Sequence, residues 1–163
     1  MVRVVISSIR VSLMSPHRVI LLKEVDSERQ LPIWIGPFET DAIVVELQQI
    51  ETARPLTHDL LKTVITELGG TVSHVTVNAL RDDYFTARVI IDKNGDVLEI
   101  DSRPSDAIAL AVRAQVPIFV SEEVMEEAGV LPEEEISSAG DIDVPDEELD
   151  VYHDFLDTLD LDD

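Results

Sequence analysis

All twelve lysines and arginines of this 163-residue chain fall between Arg3 and Arg113. Residues 121–163 carry 18 acids and no base. A segment with that balance repels itself and cannot supply a core, so the folding information must lie upstream. The formal net charge of −22 therefore describes the end of the chain. Residues 1–120 hold 16 acids against 12 bases, a net of −4. With 45% apolar residues, the chain is long enough for one good core. We read residues 1–130 as a single compact domain and residues 131–163 as an acidic tail. Within the tail, Leu149, Tyr152, Phe155, Leu156 and Leu159 recur at helical spacing, a pattern for a short amphipathic helix that binds a protein partner or docks on its own domain or a symmetry mate.

Inside the domain, VRVVISSIRVS and HRVILLKEV are rich in β-branched residues and read as paired strands, followed by the short strand LPIWIG. Gly36 and Pro37 then mark a helix start, with Ile43, Leu47 and Ile50 at helical spacing. From Pro55, the residues Leu56, Leu60, Leu61, Val64, Ile65 and Leu68 form one apolar stripe that Gly69-Gly70 ends. This is the clearest helix in the chain, and its stripe is expected to pack firmly against a sheet. VSHVTVNAL, YFTARVIID and VLEID, separated by RDD and KNGD, read as an antiparallel meander. The run Ala107–Val112 leaves almost no polar face, so that helix should be buried on several sides; it leads to the strand VPIFV. A short helix in SEEVMEEAGVLP closes the domain. Strands and helices mix without βαβ alternation, which predicts an α+β class: a mixed, largely antiparallel sheet packed with several helices.

The absence of cysteine excludes disulfides, thiol catalysis and Cys-type zinc sites, and fits a reducing compartment. No apolar run approaches the roughly 18–20 residues of a membrane span, and the N-terminus lacks the pattern of a cleaved leader, so the expectation is a cytoplasmic protein with no membrane partner. No P-loop, HExxH, zinc or GxSxG arrangement occurs. No organic cofactor is expected.

Two short stretches carry chemistry-bearing residues. Arg54-Pro55 is followed by His58 and Asp59, and Asp101 is followed by Arg103, Pro104, Ser105 and Asp106. Each places an Arg before a helix N-terminus, where backbone N–H groups and a guanidinium could converge on an anion. The same residues have structural readings. Asp59 and Asp106 in first helical turns gain roughly 0.3–1 kcal/mol from the helix dipole with no catalytic duty. Arg54 and Arg103 could clamp those carboxylates. His58, at the edge of the apolar stripe, reads equally as a satisfied, partly buried histidine.

LPIWIG, RPLTHDLL, LGG, YFTARVII, IDSRPSDAIALAVR and VPIFV together resemble the bifunctional nuclease domain family over roughly residues 1–130. The resemblance implies a compact α+β domain that forms homo-oligomers and hydrolyses DNA and RNA with low sequence specificity. Some relatives carry a further C-terminal motif linked to nucleotide-excision repair; this chain has the acidic tail there instead. Phosphodiester cleavage needs an activated water, positive charge against the phosphate and a proton for the leaving oxygen. On that basis His58, Asp59, Asp101 and Asp106 are the candidate catalytic residues. Arg54, Arg103 and Ser105 are the candidate phosphate ligands, and Asp59, Asp101 and Asp106 the candidate holders of Mg²⁺ or Mn²⁺. The alternative is a non-catalytic oligomeric binding or regulatory module whose acidic tail recruits a partner. The two readings divide on whether the two Arg-Pro helix starts meet in one cleft.

Overall fold

The computed structural model describes residues 1–11 and 14–132. The tail, with the amphipathic pattern at Leu149–Leu159, lies outside the described residues. In chain order the elements are β1 (Val2–Val11), β2 (Arg18–Glu24), β3 (Gln30–Ile35), α1 (Pro37–Leu47), α2 (Thr57–Glu67), β4 (Thr71–Arg81), β5 (Tyr84–Lys93), β6 (Asp96–Ser102), α3 (Pro104–Ala114), β7 (Ile118–Val120) and α4 (Glu122–Ala128). The strands form one sheet ordered β3-β2-β1-β7-β4-β5-β6. Every pairing is antiparallel except β4 with β7. The class is thus α+β with a mixed sheet.

Turn chemistry sets the meander. Asp82 and Asp83 both take positive φ between β4 and β5, and Asn94 and Gly95 do so between β5 and β6, the pattern that two-residue hairpins favour. Register shifts interrupt β1 between Ile6 and Ser8 and β4 at two places. Such irregularities bend strands and add twist. Three-residue β7 slots between the N-terminal strands and the meander, joining them into one sheet.

The core lies on one face of that sheet. Ile20 and Leu22 of β2, Leu31 and Ile33 of β3, Val75 and Val77 of β4, and Val89 and Ile91 of β5 are buried together with Ile43 of α1 and Val124 and Met125 of α4. α3 is the centre of this layer: Ala107, Ile108, Ala109, Leu110 and Ala111 are all buried, as the apolar run predicts. Its alternating alanines let sheet and helices approach closely, so a larger side chain at any of them would overpack the core.

The Leu-striped helix α2 departs from expectation. Only His58 is fully buried on it, and Leu60, Leu61, Val64 and Leu68 are 39–70% exposed. Ile65 alone of the stripe packs on the core. Amphipathic spacing reports that a helix owns an apolar face; it does not say that the same chain covers it. Among the described residues, no helix is long and apolar enough to cross a membrane.

Candidate functional site

Three helices begin in the same way. Each enters from an extended residue, Gly36, Leu56 or Arg103, and α1 and α3 carry proline in the first turn. Each then places an acid in that first turn: Glu39, Asp59 and Asp106. A carboxylate is favoured there by the unsatisfied N–H groups and the dipole. In Asp59 this duty is direct, because Oδ2 accepts from the Leu56 backbone N–H at 2.8 Å.

The two Arg-Pro helix starts do share a cleft. His58 Nε2 of α2 lies 2.9 Å from Asp106 Oδ1 of α3. Arg103 donates to Asp106 through Nε at 2.8 Å and Nη2 at 3.2 Å, and through Nη1 to Glu39 Oε1 of α1 at 3.0 Å. Asp106 and Arg103 together therefore join the three helix starts. Beside it opens a cavity of about 890 Å³ whose lining includes Asp41, Arg54, His58, Arg103 and Asp106. Gly36 belongs to the design: a Cβ there would strike the Glu39 carboxylate, so glycine lets Glu39 fold back to meet Arg103.

Burial works to raise the pKa of Asp106, but hydrogen bonds from Arg103 and His58 outweigh it and hold the carboxyl below its ordinary range. The ionised carboxylate can only accept, so the proton on a neutral His58 sits on Nε2 and the lone pair on Nδ1. Nδ1 is buried and has no hydrogen-bond partner among the described residues. A buried polar atom left unpaired costs about 1–3 kcal/mol. Asp41 behaves in the opposite sense. Burial pushes its carboxyl up, with Arg18 only partly opposing, and its Oδ1 is also buried without a partner.

A second ion pair stands behind the first. Arg113, in the last turn of α3, is almost fully buried and donates through Nε to Asp59 Oδ1 at 2.8 Å and through Nη1 to the Ala109 carbonyl at 2.9 Å. Burial tends to raise Asp59, yet the Leu56 N–H and Arg113 hold it below its ordinary range. The two pairs differ in what they can do. Asp59–Arg113 ties α2 to α3, and breaking it would strand a buried charge. The Arg103 side chain is 63% exposed, so its ion pairs are worth at most about 1 kcal/mol and an incoming anion can exchange with them.

The remaining candidates are placed apart or differently. Arg54 lines the cavity but pairs with neither aspartate; Asp59 is taken by Arg113. Asp101 is exposed on β6, opposite Arg88 in the β5 register, and lines neither this cavity nor its smaller neighbour. Ser105 is buried on that smaller neighbour instead. Asp59, Asp101 and Asp106 thus do not gather, and among the described residues no three His, Asp or Glu side chains are placed to hold a metal ion. Among the described residues, this donor set does not fit a resident Mg²⁺ or Mn²⁺.

Sequence reasoning passed over Glu39, Asp41 and Arg113. Pro37-Phe38-Glu39 repeats the Pro-x-acid spacing of Pro104-Ser105-Asp106, a signal that could have found Glu39. Arg113 closes a helix with no polar face, so it had to find a buried partner.

Comparison with known proteins places the chain in a family. The family described as the bifunctional nuclease domain matches residues 20–133. An uncharacterized protein of Mycobacterium tuberculosis (strain CDC 1551 / Oshkosh) is 40% identical over 162 residues, covering 99% of this chain and 96% of the relative. Bifunctional nuclease 2 of Oryza sativa subsp. japonica is 34% identical over 110 residues, covering 65% of this chain and 34% of the relative. Bifunctional nuclease 2 of Arabidopsis thaliana is 32% identical over 111 residues, covering 66% of this chain and 34% of the relative. The matched region holds all three helix starts, and the chain belongs to the bifunctional nuclease domain family.

Proposed function

We propose that the cleft hydrolyses phosphodiester bonds in DNA or RNA with low sequence specificity. The observation that carries this reading is His58: its Nε2 faces the Asp106 carboxylate while Nδ1 is left unpartnered, in a residue that lines a cavity large enough for a nucleotide. Once side-chain motion opens the buried His58 Nδ1 to the cavity, it takes a proton from water as the water oxygen bonds to phosphorus. Arg103 and Arg54 meet the non-bridging oxygens, Arg103 by exchanging its exposed ion pairs for new ones. The bond to the leaving oxygen breaks, and that oxygen needs a proton. Asp41 is the cavity group that burial biases toward its protonated form. The plant relatives named bifunctional nucleases support the reaction class, although the chain spans only about a third of their length.

Four carboxylates, Glu39, Asp41, Glu51 and Asp106, line the cavity against two guanidiniums. Activity on a polyanion should therefore be modest and fall steeply with salt. Stringently purified protein is assayed on DNA, RNA and a chromogenic phosphodiester, with and without Mg²⁺ or Mn²⁺, alongside His58→Ala and Asp106→Asn. Both variants should lose most turnover. Equal cleavage by all three proteins would remove the site from consideration and leave contamination as the simpler source.

A second reading draws on the mutual pairing of Arg103, Asp106 and Glu39: an anion-binding module without turnover. Saturable binding with no cleavage in the same assays would select it. We also propose that the chain self-associates through the exposed stripe of Leu60, Leu61, Val64 and Leu68. Replacing Leu60 and Val64 by lysine should yield monomers by light scattering, and an unchanged mass would refute that interface.

A further inference from the structure

A smaller cavity of about 250 Å³ adjoins the cleft and shares Glu39 and Arg103 with it. Its walls come from separate elements: Trp34 from β3, Tyr84 and Phe85 from the start of β5, Asp83 from the β4–β5 turn, and the first residues of α3. Aromatics are scarce in this chain, at 4%. Of the five in the described residues, Trp34, Phe38, Tyr84 and Phe85 line one of these two cavities, leaving only Phe119 elsewhere. Three of the four serve no core, since Trp34, Phe38 and Tyr84 are 61%, 83% and 76% exposed. Exposed rings lining two cavities that share one guanidinium mark a surface suited to a partner.

The chemistry of the walls selects that partner. A planar, π-faced group would stack against both Trp34 and Tyr84 and on the Arg103 guanidinium. The Glu39 and Asp83 carboxylates can accept from ring N–H and amino groups, which a nucleobase offers on its pairing edge. Those edges and faces are open only when the base is unpaired. The same carboxylates, with Asp82 beside them, oppose a membrane surface of anionic lipid. Continuity with the cleft means that a strand held here by a base would carry its phosphodiester toward His58.

We propose that this smaller cavity is a stacking site for an unpaired nucleobase, which makes single-stranded nucleic acid the substrate class that the cleft receives. The inference rests on the hydrolytic reading for what the adjoining cleft does, whereas the stacking itself can be measured alone.

Trp34 is the only tryptophan in the chain, so its fluorescence reports on this wall directly. The full-length protein is titrated with a single-stranded oligonucleotide, with the same sequence as a blunt duplex, and with an abasic strand of equal phosphate count. The single strand should quench Trp34 saturably, and the duplex and abasic strand should not. Tyr84→Ala, at an exposed position, should weaken single-strand binding roughly 5- to 150-fold, the span found for loss of one base-stacking ring, while Tyr84→Phe should retain it. Equal quenching by the abasic strand or duplex, or unchanged single-strand affinity in Tyr84→Ala, would overturn the proposal. Wild-type turnover of bis(p-nitrophenyl) phosphate, which has no base, runs in parallel. Quenching without that turnover sinks the hydrolytic reading and keeps the stacking site; turnover without quenching does the reverse.

Discussion

α2 and α3 are each 11 residues long, each has an acid in its first turn, and each carries apolar side chains at helical spacing, yet they are used in opposite ways. α3 is surrounded on nearly all sides by the sheet and its neighbours. α2 turns inward only His58 and Ile65 and shows its leucines to the outside. The contrast separates two jobs that one amphipathic pattern can serve. α3 provides the core, and its N-terminus presents Asp106. α2 is held by its polar start, through Asp59 to Arg113 and His58 to Asp106, so that the site itself is the principal tie between the helices.

This comparison can be broken by mutation. The largest effect is expected at the buried tie. Asp59→Ala leaves the buried Arg113 guanidinium uncompensated and should cost about 3–5 kcal/mol in urea unfolding. A loss below 1 kcal/mol would mean that Arg113 finds another acceptor and that the tie is dispensable. Next, Leu110→Ala in α3 should cost about 2–5 kcal/mol, whereas Leu60→Ala in α2 should stay within about 0.5 kcal/mol under dilute conditions. Equal costs would show that the two faces are not differently employed. Gly36→Ala should be milder still, displacing Glu39 from Arg103 and removing an exposed contact of at most about 1 kcal/mol.

Acid should act through the same contacts. The pKa values of Asp59 and Asp106 are depressed in the fold, so their stabilisation is complete above the ordinary value of 3.8 and is lost as pH falls through that value toward the folded one. Asp41, raised by burial, runs the other way: its contribution is present at low pH and fades as pH rises above 3.8. With Asp59, Asp106 and Glu24, whose carboxyl Arg29 and Ser27 also hold down, against Asp41 alone, the urea midpoint should fall on acidification below about pH 4, and Asp106→Asn should flatten that fall. An unchanged slope in the variant would mean that Asp106 is not ionised in the fold.

Much of this architecture is legible in the sequence because it rests on local chemistry. The two-residue turns, the β-branched strands and the apolar run of α3 each favour one structure at short range, and each forms as expected. The shared cleft follows less directly: Arg54-Pro55 and Arg103-Pro104 announce helix starts, but only the packing of α2 on α3 brings His58 to Asp106. What sequence could not decide is tertiary. An apolar stripe has the same spacing whether the same chain covers it or not. Asp101 sits two residues from Arg103, yet it belongs to an edge strand and faces Arg88 in the register. Arg113 becomes part of the site's support only once α3 is buried. The aromatic wall joins β3 to the β4–β5 turn, which lie far apart in the strand order and meet only in the folded domain.

The central claim is that His58 is a working proton acceptor and not a buried spacer between helices. The most direct test is kcat for bis(p-nitrophenyl) phosphate in wild type and His58→Ala, with urea unfolding measured on the same samples. A general base contributes about 10²- to 10⁴-fold, so a loss of that size in a variant that still unfolds cooperatively is the expected result. Folded His58→Ala with undiminished kcat would contradict it.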